Sequence, residues 1–150
     1  MRLSLHADYA LRTLMYLAVH DGHRSIGEIA RAYAISKNHL MKVAQRLVTE
    51  GFVEAVRGRS GGLQLARAPS QINVGQVARA LEETRSFVEC FNPATNSCVI
   101  TPACQMRHVL AGGLEAFFRH LDRYSLADLT KDPSAVRESL LTPSADPQRE

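Results

Sequence analysis

The sequence predicts a mainly α-helical fold with one small β-hairpin. Three observations carry this: apolar residues recur every three to four positions in successive segments, two short apolar runs flank a glycine-rich link, and a long apolar stripe follows. With 150 residues, 45% of them hydrophobic, the chain can build one domain with a core and an oligomerisation arm, but not two complete domains. No run approaches the roughly 18 apolar residues of a membrane span, and no secretory leader is recognisable, so no membrane partner is expected and the location should be cytoplasmic.

From Asp8 to His20, Leu11, Leu14, Met15, Leu17 and Ala18 describe an amphipathic helix ended by Asp21-Gly22. A second helix starts at Ser25, where Ser25 and Glu28 have capping-box spacing. A third should run from a cap at Ser36 to Glu50, with Gly51 as its stop. The segments Phe52 to Val56 and Leu63 to Ala66 then form a hairpin whose tip is Arg57-Gly58-Arg59-Ser60-Gly61-Gly62. After Pro69 a short helix capped by Asn73 continues to about Glu83, a cysteine-bearing loop follows, and a long helix covers about Pro102 to Asp122. The last twenty residues, with Pro133, Pro143 and Pro147 among Ser, Thr and Asp, are expected to be disordered. The expected division is 1–68, 69–130 and a tail of 131–150.

Charge is distributed unevenly. Residues 1–67 hold ten Lys or Arg against five Asp or Glu, a net of +5, whereas 68–150 hold eight against ten, a net of −2. In the basic part, the two helices joined across Ala34-Ile35-Ser36 have helix-turn-helix spacing, with Ile29, Tyr33, Ile35, Leu40 and Val43 apolar where they must pack. Ala34 departs from the glycine common at this turn. The hairpin directly after makes the unit a winged helix-turn-helix, and double-stranded DNA its expected partner. Ser36, Lys37, Asn38 and His39 open the recognition helix, Lys42 and Arg46 follow one and two turns later, and Arg57, Arg59, Ser60 and Gly61 stand in the wing.

All three cysteines, Cys90, Cys98 and Cys104, fall within fifteen residues at C-x7-C-x5-C. In a reducing compartment such a group points to a metal rather than to disulfides. The spacing is too wide for the paired knuckles of a zinc finger and suits an iron–sulfur cluster, which needs a fourth ligand. Within the loop, Glu89 and His108 are candidates. Paired carboxylates and nucleophile or metalloprotease motifs are lacking, so the chain is not expected to be an enzyme.

The start Met-Arg-Leu-x4-Asp8-Tyr9-Ala10-Leu11-Arg12, the wing Val56-Arg57-Gly58-Arg59-Ser60-Gly61-Gly62, the three cysteines before a long helix, and Leu126-Ala127-Asp128-Leu129 after it resemble the Rrf-type iron–sulfur transcription regulators. The resemblance covers about residues 1 to 130 and is greatest to the nitric-oxide-sensing repressors of that family, notably at Asn96-Ser97-Cys98 and Pro102-Ala103-Cys104. It implies a homodimer joined through the long helices and bound to a palindromic operator. It also implies a 4Fe-4S cluster held by Cys90, Cys98 and Cys104 of one subunit and by Asp8 of the partner subunit. From the residues alone, Asp8 reads as a helix cap. Nitric oxide would be the signal, and operator affinity would be lost on nitrosylation.

Two alternatives stay open within the family. One is an iron-responsive regulator with similar cysteine spacing; the other carries a 2Fe-2S cluster whose fourth ligand is a histidine three residues past the last cysteine, where this chain has Arg107. Outside the family the alternative is a zinc-stabilised DNA-binding or interaction module.

Overall fold

The structure is a computed structural model that describes residues 3–58, 60–84 and 87–141. Its elements follow in the order α1 (Leu5–Ala18), α2 (Ile26–Ala32), α3 (Lys37–Thr49), β1 (Val53–Val56), β2 (Gly62–Leu65), α4 (Val74–Leu81), α5 (Gln105–Leu121), α6 (Leu126–Leu129) and α7 (Pro133–Leu141), with short 3-10 turns between. The expected fold class is what forms: helices with a single two-stranded antiparallel hairpin, in the arrangement of a winged helix.

Helix α1 begins three residues before the expected Asp8. Ser4 is the cap, its hydroxyl accepting from the Ala7 N–H at 3.1 Å, so Asp8 sits inside the first turn and is not a cap. At α2 the Ser25 hydroxyl accepts from Glu28 N–H at 3.2 Å, but the expected capping box is only half made. The Glu28 carboxylate instead accepts from the Tyr16 hydroxyl at 3.0 Å and from Arg24 at 3.3 Å.

Between α2 and α3 the turn closes as a helix-turn-helix requires, with Ile35 N–H donating to Ala30 C=O at 2.9 Å. Ala34 takes φ +52°, the left-handed conformation that glycine adopts more cheaply. Strands β1 and β2 pair in the register Val53 with Leu65 through Val56 with Gly62. The link between α1 and α2 adds a third, one-residue strand, since Arg24 and Leu63 exchange both backbone hydrogen bonds at 2.8 Å. The sequence pattern gave no sign of that bridge.

One hydrophobic core unites these elements. Leu14, Ile29, Leu40 and Leu47 of the helix-turn-helix are fully buried and share a cluster with Val53, Leu63, Ile72, Val77 and Leu126. Each such side chain contributes roughly 1.5–3 kcal/mol of transfer free energy. Residues on both sides of position 68 therefore stabilise the same core.

Helix α4, capped by Asn73 as expected, leans on the end of α5. Its Gly75 lies so close to Asp122 that any Cβ would collide with that carboxylate and backbone. The Asn73 amide donates to Asp122 C=O at 2.7 Å, and Arg79 grips the Asp122 carboxylate through both guanidinium nitrogens while stacking over Phe118 at 4.9 Å.

The tail corrects the expectation of disorder from residue 131 in part. Pro133–Leu141 is a helix, anchored where Arg137 donates to Val19 C=O at 2.8 Å and where Leu140 packs on the core. A polar, proline-bearing composition did not reveal these two tertiary anchors; residues 142–150, with Pro143 and Pro147, lie outside the described residues. No helix among the described residues is long and apolar enough to cross a membrane.

Candidate DNA-reading surface and cysteine loop

Helix α3 buries Leu40, Val43, Ala44 and Leu47 against the core, so the opposite face is free. Ser36, Lys37, Asn38, His39 and Lys42 are all exposed there, as expected of a recognition helix. Although Ser36 occupies the cap position, its hydroxyl makes no capping bond. Sequence reasoning missed Met41, Gln45 and Thr49 on the same outer surface, although the spacing 38, 42, 45, 49 marks one helical face.

Arg46 is exposed but engaged. It pairs with Glu50 at 2.8 Å and donates to the backbone carbonyl of Ala80, at the end of α4, at 3.1 Å. Its free charge is therefore smaller than its position in sequence suggests.

In the wing, Arg57 and Ser60 are exposed, while Arg59 lies outside the described residues. His23 Nε2 approaches Ser60 C=O at 2.8 Å and braces the tip. Gly61 is required by the chain itself, because a Cβ there would strike the Val56 carbonyl.

The loop from α4 to α5 is organised by its polar residues. Glu89 accepts from both the N–H and the hydroxyl of Ser97, at 2.6 and 2.7 Å, and these bonds hold its carboxyl below the usual range. Asn96 accepts from Cys98 N–H at 3.1 Å, and the Thr101 hydroxyl donates to Cys98 C=O at 2.8 Å. The carboxylate of Glu89, a candidate fourth ligand, is thus committed to the loop. His108 lines an open cavity of about 340 Å³ with Thr84, Phe91, Arg107, Ala111 and Leu114.

Cys90, Cys98 and Cys104 are free thiols, all half-buried, with Cys104 at the cap position of α5. Among the described residues no three His, Cys, Asp or Glu side chains converge on a point that would hold a single metal ion. Three uncommitted soft donors spread along a loop fit a multi-iron cluster better than one hard cation. Neighbouring Val99 and Ile100 project outward, Val99 being 91% exposed.

Asp8 lies on α1, away from the loop in sequence, and its carboxylate is bound twice by Arg12, at 2.8 and 3.0 Å. The Arg12 guanidinium stands 6.0 Å from the Tyr33 ring centroid. Tyr33 caps α2 immediately before the Ala34 turn, and burial raises its phenol to about 12.

Known proteins place this arrangement. The family profile described as "Rrf2: Iron-dependent Transcriptional regulator" matches residues 3–132. An "HTH-type transcriptional regulator NsrR" of Bacillus subtilis (strain 168) is 46% identical over 93% of this chain and 97% of its own length. A relative of the same name from Bacillus licheniformis is 43% identical over 93% and 99%. Among solved structures, T. potens IscR superimposes with a TM-score of 0.69 at 28% identity, covering 91% of each chain. CymR, described as the global cysteine regulator of B. subtilis, gives 0.66 at 26% identity over 87% of this chain and 97% of that one. The chain belongs to the Rrf2 family and is a DNA-binding transcription regulator.

Proposed function

We propose that the chain is a homodimeric, cytoplasmic repressor that senses nitric oxide through a 4Fe-4S cluster. Cys90, Cys98 and Cys104 of one subunit and Asp8 of the partner subunit would hold the cluster. The observation that carries this function lies at the end of α4, where the cysteine loop begins. Ala80 there is bonded to Arg46 of the recognition helix, and Glu82 accepts from Ser4 N–H at the start of α1 at 2.7 Å. A displacement of the loop entrance is therefore felt by both helices.

When bound, the cluster supplies iron to which nitric oxide binds, and a carboxylate holds such iron less firmly than a thiolate does. What the chain supplies is the connection. As a cluster ligand Asp8 would give up its pair with Arg12, whose guanidinium stands 6.0 Å from the centroid of the Tyr33 ring that precedes the helix-turn-helix turn, and as a free carboxylate it would pair with Arg12 again. Residues 1–68 would then serve as the DNA-reading part and 69–130 as the sensing and dimerising part. Dimerisation through α5 is supported by Met106 and Val109, which are 64% and 72% exposed along its apolar stripe.

The test is the iron and inorganic sulfide content of anaerobically purified protein. Equal amounts of both, lost in Cys98→Ser, are expected; colourless protein containing zinc would overturn the cluster. The family's description as iron-dependent favours iron availability as a second signal. DNA binding that survives nitric oxide but fails on iron chelation would select it.

A further inference from the structure

Met41 is a large apolar side chain left 50% exposed on the outer surface of the recognition helix. It lies one turn before Gln45 and beside Lys42, and no acidic residue occurs anywhere from Lys37 to Thr49. Core-facing Leu40, Val43, Ala44 and Leu47 already fill the other side of α3, so the fold does not use Met41. A surface that is basic at Lys37 and Lys42, amide-bearing at Asn38 and Gln45, and apolar at one point matches the major groove. There the one apolar feature a base pair presents is the C5 methyl of thymine.

We infer that Met41 is a specificity-determining residue that packs its thioether chain against a thymine methyl group in each half-site. Its unbranched, polarisable side chain can follow the methyl across the groove without a fixed rotamer. Asn38 and Gln45, adjacent on the same surface, are placed to hydrogen-bond neighbouring base edges, so the methionine adds a contact that depends on shape rather than on charge. The inference rests on DNA binding through α3 and is independent of the cluster and its signal.

The probe is a duplex that the anaerobically purified chain itself selects from a random-sequence pool, resynthesised with deoxyuridine replacing each thymidine in turn. Deoxyuridine keeps every hydrogen bond and removes only the methyl. Wild type should lose about four-fold in affinity at one thymidine of each half-site, the worth of roughly one buried methyl group. Met41→Ala, which removes the contact from both half-sites, should bind the thymidine duplex about sixteen-fold more weakly than wild type and be indifferent to deoxyuridine there, whereas Met41→Leu should remain sensitive. Because the side chain is half exposed, neither variant should change the thermal midpoint appreciably, and a circular-dichroism melt confirms that both are folded. The inference is overturned if wild type binds every deoxyuridine duplex as tightly as the parent, or if Met41→Ala keeps the full sensitivity. Failure to select any sequence would overturn DNA reading by α3 itself, a distinct result.

Discussion

The guanidinium of Arg46, two turns into the recognition helix, donates to the backbone carbonyl of Ala80 at 3.1 Å while Glu50 balances its charge at 2.8 Å. A residue that charge counting assigns to DNA thus also fastens α3 to α4, the helix that leads into the cysteine loop.

That double engagement separates Arg46 from Lys42, which has the same charge and lies on the same exposed helix surface. Lys42→Ala should lower the salt dependence of DNA binding by about one phosphate contact per half-site, a slope change of about 0.9 for each half-site occupied. Arg46→Ala should change the slope by less. Equal slope changes measured by fluorescence anisotropy across a salt series would show that Arg46 is a plain phosphate contact.

Ala34 holds φ +52° at the helix-turn-helix turn. Relieving a left-handed alanine is worth about 1–2 kcal/mol, part of which glycine returns through the greater freedom of the unfolded chain. Ala34→Gly should therefore raise unfolding stability by about 0.5–1 kcal/mol in a urea titration. A destabilised variant would mean that the turn is not strained.

Gly75 faces Asp122 with no room for a methyl group. Gly75→Ala should push α4 off the end of α5, loosen the Arg79–Asp122 pair and destabilise the fold by about 1–3 kcal/mol, as overpacking does. Thermal melts of wild type and variant decide the matter, and an unchanged midpoint would refute the close approach.

The Arg79 hydrogen bond holds the Asp122 carboxyl below its ordinary value of 3.8. A depressed folded-state value stabilises the protein above the unfolded value, and that contribution disappears as pH falls through the folded one. Acid unfolding should accordingly begin earlier in Arg79→Met, and the difference from wild type should grow less as both samples fall well below pH 3.8. Parallel acid limbs for the two proteins would contradict this linkage. At the alkaline end, Tyr33, raised from 10.0 to about 12, contributes stability that is complete below 10.0 and lost between the two values.

Much of this architecture was legible in the chain because local signals and packing agree. Ser25 and Asn73 cap where their spacing says they should, and the apolar periodicity of Leu40, Val43 and Leu47 marks the buried face of α3. Other features depend on tertiary partners that no local pattern reveals. The Arg24–Leu63 bridge joins a loop to the wing, and α7 is held by Val19 and the core rather than by helix propensity. At the candidate site, the cysteine triplet was conspicuous from clustering alone, whereas the Arg46–Ala80 bond spans 34 positions and links residues with no shared motif. Asp8 was misread as a cap because Ser4 precedes the first apolar periodic residue by more than a turn. The Asp8–Arg12 pair itself stands at the i, i+4 spacing that a helix makes adjacent.

Nitric oxide acting at the cysteine loop is proposed to release DNA through α4 and α1. The most direct test is operator affinity of the anaerobically purified protein, titrated with a few equivalents of nitric oxide, for wild type and Asp8→Ala. Wild type should lose at least ten-fold in affinity, equivalent to about 1.4 kcal/mol, and Asp8→Ala should respond at a different nitric oxide ratio while remaining folded. Wild-type affinity that stays constant while nitric oxide is consumed by the bound iron would rule out nitric oxide as the signal that releases DNA.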